Sequence, residues 1–180
     1  MVASNTVFNI YFDNINDDGS EVQDYLVVQP KSLNDDGVAG IAVLPIFDDK
    51  IGLVHIHRHP INETIWEVPR GFIEEDETVI QAAQRELREE AGLFCELRNF
   101  EIMGAIAPEP GVINAKVETL VANECCIVDK VQYEELGQIG FQMFTLEEVA
   151  TLIARGEIID PFTITLYYKI KDRLISEVGY

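Results

Sequence analysis

Glu86, Glu89 and Glu90 lie in a stretch, Val79 to Ala91, whose apolar residues recur with helical spacing. At roughly 100° per residue the three carboxylates fall within about 100° of one another, beside an apolar face of Ile80, Ala83, Leu87 and Ala91. Like charges at i, i+3 and i+4 weaken a helix by roughly 0.2–0.5 kcal/mol per pair, so the cluster calls for a compensating cation. A hard divalent ion, Mg²⁺ or Mn²⁺, suits such oxygen ligands and keeps positions open for water and phosphate. Arg85 precedes Glu89 by four residues, so its guanidinium can hold that carboxylate while Glu86 and Glu90 bind metal. A solvated acidic face is the alternative reading of the three glutamates alone.

The elements around this helix are legible from turn and cap residues. Thr78 is the expected N-cap with Gln81 three residues on, and Gly92 the expected stop. Upstream, Thr6 to Phe12 and Tyr25 to Val28 flank a turn at Asn14 to Gly19 and read as a hairpin. Ala39 to Phe47 and Ile51 to His57 are nearly continuous apolar runs, as core strands are. Downstream, Leu93 to Ile106 and Val112 to Cys126 read as strands around the loop Ala107 to Gly111. Two helices close the chain, Leu146 to Ala154, capped by Thr145 with Glu148 at N3 and stopped near Gly156, and Pro161 to Arg173. The pattern predicts an α/β or α+β domain, a mixed sheet between helices over residues 38–180, preceded by an N-terminal β-hairpin segment over residues 1–37.

The 180 residues carry a formal net charge of −19 with 47% hydrophobic residues, which describes one acidic globular domain. With no basic cluster to neutralise phosphates, nucleic acid is an unlikely class of partner on physical grounds, and so is an anionic membrane surface. No apolar run approaches the roughly 20 residues of a spanning helix. The opening residues lack a basic stretch followed by an apolar one, so the expected location is cytoplasmic. Cys95, Cys125 and Cys126 have no metal-ligand spacing and are expected to be buried free thiols. Acidic pairs such as Asp17-Asp18, Asp35-Asp36 and Glu134-Glu135 read as solubility charge.

The stretch Gly71 to Leu93 fits the string Gly-x5-Glu-x7-Arg-Glu-U-x-Glu-Glu-x-Gly-U, with U bulky and aliphatic, at every specified position. It resembles the box of the Nudix hydrolases. The resemblance implies an α/β/α sandwich that hydrolyses a nucleoside diphosphate linked to another group, by attack of water on phosphorus with Mg²⁺ or Mn²⁺ present. It implies Glu86 and Glu90 as principal metal ligands, Glu89 as a further ligand or base, the Arg70 carbonyl as another metal contact, and Glu77 as support for loop and helix. Arg85 belongs to the same catalytic set.

Flanking segments, His57-Arg58-His59-Pro60 and Trp66-Glu67-Val68-Pro69-Arg70-Gly71, are similar to those of the ADP-ribose pyrophosphatase branch, as are Pro108, 15 residues past Leu93, and Gly156 to Asp160. That branch implies a nucleotide-sugar substrate, with another nucleoside diphosphate derivative or a non-hydrolytic nucleotide-sugar sensor as alternatives. Arg58, Trp66, Glu67 and Arg70 become substrate-contact candidates; for Arg58 the alternative is an ordinary ion pair, for Trp66 core packing, and for Arg70 pairing with neighbouring acids. Relatives use an N-terminal segment like this one to dimerise, which implies a homodimer. Two positions depart from the branch: Arg70 replaces a small residue, and Ala115 stands where relatives often carry a Glu that acts as base. Glu89, Glu109 and Glu118 remain the candidate bases. His55, His57 and His59 alternate along one expected strand, which invites a zinc site or, more simply, a half-buried strand edge.

Overall fold

The computed structural model of the chain describes residues 1–128 and 135–178, with side chains to residue 172. Three strands come first, β1 (Ala3–Ser4), β2 (Phe8–Asp17) and β3 (Ser20–Pro30), in an antiparallel ribbon of their own that turns at Asp18 and Gly19. The expected hairpin is present with longer arms, because polar pairs such as Asn16 with Glu21 continue the ladder where the apolar alternation fades. Next come β4 (Val38–Phe47), β5 (Lys50–Arg58), β6 (Glu63–Glu67), β7 (Arg70–Phe72), α1 (Val79–Ala91) and β8 (Leu93–Phe94). The chain ends through β9 (Phe100–Ile106), β10 (Lys116–Ala122), β11 (Cys126–Ile127), β12 (Gln138–Phe144), α2 (Leu146–Arg155) and α3 (Pro161–Val178).

Seven strands form the central sheet in the order β12-β5-β4-β10-β9, with β6 on β5 and β7 on β4. It is mixed, since β10 runs parallel to β4 while the other pairings are antiparallel. Alternation along β4 and β10 sorts the two cores. Ile41, Val43, Leu120 and Ala122 face Ala82, Ala83 and Leu87 of α1, whereas Ala42, Leu44 and Val121 face Val149 of α2 and Phe162, Leu166 and Ile170 of α3. The result is the expected α/β/α sandwich, with the ribbon outside it.

Several local expectations differ from what forms. The stretch from Leu93 to Ile106 is broken by a 3₁₀ turn at Leu97–Asn99 into β8 and β9. Val112 to Cys126 contracts to β10 and β11, interrupted by Glu124 at φ 54°. Cys126 is exposed, unlike Cys95 and Cys125, because it sits on the outer side of a two-residue ribbon. The last two helices run slightly longer than expected, and β6, β7 and β12 go beyond the strands the apolar pattern indicates. Among the described residues no helix is long and apolar enough to cross a membrane.

Candidate active site

Helix α1 is fixed at both ends as its sequence dictates. Thr78 and Gln81 close a reciprocal capping box, and Gly92 takes the left-handed conformation, φ 64°, that ends the helix with its N–H on the carbonyls of Arg88 and Leu87. Its three glutamates do not share one environment. Glu86 and Glu90 are 7% and 5% exposed, sunk beside the apolar residues, while Glu89 is exposed. β7 lies against the two buried carboxylates. A Cβ on Gly71 would stand 1.8 Å from Glu86 Oε1, so the glycine that begins the box is a steric requirement for seating that carboxylate. One residue earlier, the Arg70 backbone N–H donates to Glu90 Oε2 at 3.1 Å.

Arg85 organises the rim. Its Nε and Nη2 grip the two oxygens of Glu77 at 2.9 and 3.0 Å, Nη2 also donates to the Phe72 carbonyl at 3.0 Å, and Nη1 reaches Glu86 at 2.7 Å and Glu89 at 3.2 Å. Glu77 in turn accepts the Glu74 N–H at 3.1 Å, which ties the loop before α1 to the helix, the supporting role the sequence implied. The hydrogen bonds from Arg85 depress the Glu77 pKa. Glu90 has no such guanidinium: burial, then the charge of Glu86, push its pKa up to about 9. Glu86 is also raised, by burial, against the pull of Arg85.

A second acid cluster adjoins the first. Glu67 is fully buried between the guanidinium of Arg58 and that of Arg70, the latter at 3.1 Å. Burial raises its pKa, and the two arginines hold that rise back. Arg70 continues to Asp160 at 2.8 Å and stacks over the Phe162 ring at 5.5 Å; Arg58 continues to Glu135 at 3.3 Å. Asp160 is 4% exposed and caps α3, accepting the Thr163 N–H at 2.8 Å and hydroxyl at 2.7 Å, while that hydroxyl accepts the Val68 N–H at 2.9 Å. Of the alternatives weighed for Arg58 and Arg70, ion pairing is therefore realised in both.

Sequence reasoning gave Asp160 and Gln138 no role in this neighbourhood, and its reading of Glu135 as solubility charge is corrected by the ion pair with Arg58; Glu134 lies outside the described residues. Asp160 carried a usable signal, an acid directly before the Pro161 that opens a helix. Gln138 carried none; its Nε2 donates to the Glu90 carbonyl at 2.6 Å, and its Oε1 is, among the described residues, the buried side-chain atom left without a partner.

The remaining candidates are more dispersed. Trp66 stacks on His55 with centroids 4.2 Å apart and meets the Phe144 ring edge-on at 4.8 Å, which is packing against the core. His57 is 3.4 Å from the Thr64 hydroxyl, and His59 lies beyond the end of β5, so the three histidines do not form one face. Among the described residues no three His, Cys, Asp or Glu side chains converge as a metal cage in this arrangement. Glu118 is half-buried on β10, and alternation puts it on the α1 face with Leu120 and Ala122. Glu109 is exposed in the loop after β9, with its carboxylate near the Gly111 N–H at 3.4 Å, and Ala115 is half-buried in the same loop.

Residues 37–160 match the family model for the NUDIX domain, and this span contains the whole carboxylate site and its arginines. The chain belongs to the NUDIX family. It is similar to the ADP-ribose pyrophosphatase of Bacillus subtilis (strain 168), 29% identical over 141 residues that cover 76% of this chain and 75% of that protein. It is also similar to the methanol dehydrogenase activator of Bacillus methanolicus, 29% identical over 131 residues, 69% of this chain and 67% of that one. The crystal structure of an ADP compounds hydrolase superposes with a TM-score of 0.78 at 16% identity, covering 98% of this chain and 91% of that chain, which shows a common fold. With the family and the complete box together, this is a Nudix pyrophosphohydrolase.

The donor set of this Nudix hydrolase suits a divalent cation. Glu86 and Glu90 are buried hard-oxygen donors, only the first of them ion-paired, and Gly71 lets the Glu86 carboxylate seat against β7. A cation there would relieve the desolvation and repulsion that hold Glu90 protonated.

Proposed function

We propose that the protein is a Mg²⁺- or Mn²⁺-dependent Nudix hydrolase that cleaves the pyrophosphate of an ADP-ribose-like nucleoside diphosphate sugar into a nucleoside monophosphate and a sugar phosphate. The carrying observation is the buried, charge-incomplete pair Glu86 and Glu90 at the centre of a complete Nudix box. The substrate class is supported by the Arg58 and Trp66-to-Gly71 segments and by the likeness to an ADP-ribose pyrophosphatase.

In this reading Glu86 and Glu90 hold the cation, with the Arg70 carbonyl and Glu89 as further donors. When bound, it supplies charge neutralisation for the pyrophosphate and acidity for a water near neutral pH. A water oxygen attacks one phosphorus, the bridging P–O bond breaks, and the water's proton passes to a carboxylate. Glu89, which solvent reaches and which Arg85 steadies at 3.2 Å, is the base we favour over Glu118 and Glu109. Arg58 and Arg70 are half-buried, pre-oriented by Glu67, and able to contact phosphate oxygens through remaining donors.

The proposal includes a homodimer built through the N-terminal ribbon, which exposes Phe12, Ile15, Val22 and Leu26. It sets the enzyme in the cytoplasm, where free thiols persist. Incubation with ADP-ribose, other nucleotide sugars and Mg²⁺, with products resolved by chromatography, tests the activity. AMP and ribose 5-phosphate from ADP-ribose are expected; absence of turnover across the panel overturns the reading, and tight binding without product assigns a sensor instead.

A further inference from the structure

Cys95 and Cys125 lie far from the acid cluster in function and are not used by the proposed hydrolysis, yet they are arranged as a pair. β8 and β11 pair antiparallel, with Phe94 opposite Cys126 and Leu93 opposite Ile127, and the Val128 N–H bonds the Gly92 carbonyl in the same register. Continuing that register inward sets Cys95 opposite Cys125. Both are buried, at 0% and 3% exposure, and near enough for each to shift the other's acidity. Their remaining contacts are carbonyls: Cys95 Sγ is 3.1 Å from the Asn123 oxygen and Cys125 Sγ 3.3 Å from the Ala122 oxygen. Cys125 also lines a cavity of about 700 Å³, walled by Phe47, Asp48, Glu101, Glu124 and Ile170, which brings a small oxidant as far as Cys125 and the Asn123 segment that Cys95 contacts.

We propose that Cys95 and Cys125 are a dithiol oxidation site that takes a small hydroperoxide and closes reversibly to an intramolecular disulfide. The neighbouring Cys125 lowers the Cys95 pKa and favours its thiolate, whereas the Cys125 thiol is raised by Cys95 and by burial. In the first step the Cys95 sulfur attacks a peroxide oxygen, the O–O bond breaks, and hydroxide leaves as Cys95 becomes a sulfenic acid. Hydroxide takes the Cys125 proton to give water; the Cys125 sulfur then attacks the sulfenic sulfur, forms the S–S bond and expels a second hydroxide. The two thiols lose two electrons and the peroxide gains them. Closure would tie the chain just beyond α1 to the end of β10, within the core that α1 packs on.

Exposed Cys126 supplies an internal control, because simple accessibility would oxidise it first. The full chain, as wild type and as Cys126→Ser, is treated with graded hydrogen peroxide, quenched with a thiol-blocking reagent and mapped by non-reducing peptide mass spectrometry. The expected result is a peptide linked through Cys95 and Cys125, 2 Da lighter than the two thiols, formed equally in both proteins and lost on reduction. A melting temperature that rises on oxidation and falls on reduction is expected with it. Free Cys95 and Cys125 at doses that oxidise Cys126 in the wild type, or a link that forms only through Cys126, overturns the proposal.

Discussion

Two buried carboxylates, Glu67 and Glu90, sit in neighbouring clusters and meet opposite fates. Glu67 is gripped by two guanidiniums and belongs to a run of alternating charge from Glu135 through Arg58, Glu67 and Arg70 to Asp160. Glu90 is nearly as deeply buried, but its direct partner is one backbone N–H, and Glu86, Glu135 and Glu67 beside it share its sign, with Arg58 acting on it only at a distance. Burial without a counter-charge costs several kcal/mol per ion, so the first arrangement is complete in the protein alone while the second calls for the cation we propose. Position in the fold, not residue type, separates a carboxylate that holds the scaffold from one proposed to hold a cation.

Replacement of each acid should therefore fail in a different way. Glu90→Gln is expected to lower kcat by about 1000-fold or more, equivalent to the several kcal/mol a catalytic metal supplies, while the metal-free variant unfolds at or above the wild-type denaturant midpoint. Glu67→Ala should do the reverse: urea titration is expected to show a loss of about 3 kcal/mol, because two half-buried guanidiniums lose their shared anion. A Glu67→Ala protein as stable as wild type would erase the contrast.

Asp160→Ala probes the edge of the complete cluster. It removes the α3 cap and one of the Arg70 partners, with an expected cost of about 1–2 kcal/mol by thermal or urea unfolding. Asp160→Asn should recover most of the cap and leave only the lost Arg70 charge to be seen. The smallest effect expected is a pH dependence. With Glu90 raised from 4.5 to about 9, the metal-free fold is favoured by its protonated form, an advantage fully present below about 4.5 and lost as pH rises through 9. The melting-temperature increase given by Mg²⁺ should accordingly grow between pH 6 and pH 9, and a flat or inverse profile would contradict the assignment.

The two clusters also differ in how far the sequence reveals them. The box is local: Thr78, Gln81 and Gly92 define the helix, and the i, i+3, i+4 spacing announces its carboxylates. Periodicity did not show that Glu86 and Glu90 would sink while Glu89 stayed in solvent, since that depends on β7 and on the missing side chain of Gly71. The Glu67 cluster joins β5, β6, β7 and the start of α3, from Arg58 to Asp160 about a hundred residues apart, so no window of sequence displays it. Arg58 and Arg70 are recognisable as site candidates by resemblance alone; that Glu67 is their shared anion is not visible even in the strand register, which sets Glu67 opposite Val54 and Arg58 opposite Glu63. Similarly β12 is an edge strand whose pairing with β5, rather than its own apolar pattern, defines it.

Glu86 and Glu90 form, as we propose, a site one cation short of complete. Calorimetric titration of Mn²⁺ into wild-type and Glu90→Gln protein at pH 8, repeated in buffers of different ionisation enthalpy, tests it most directly. The account predicts saturable binding to the wild type with release of protons, as the ion displaces the proton held by Glu90, and loss of both in the variant. Equal affinity for the two proteins with no proton release would contradict it.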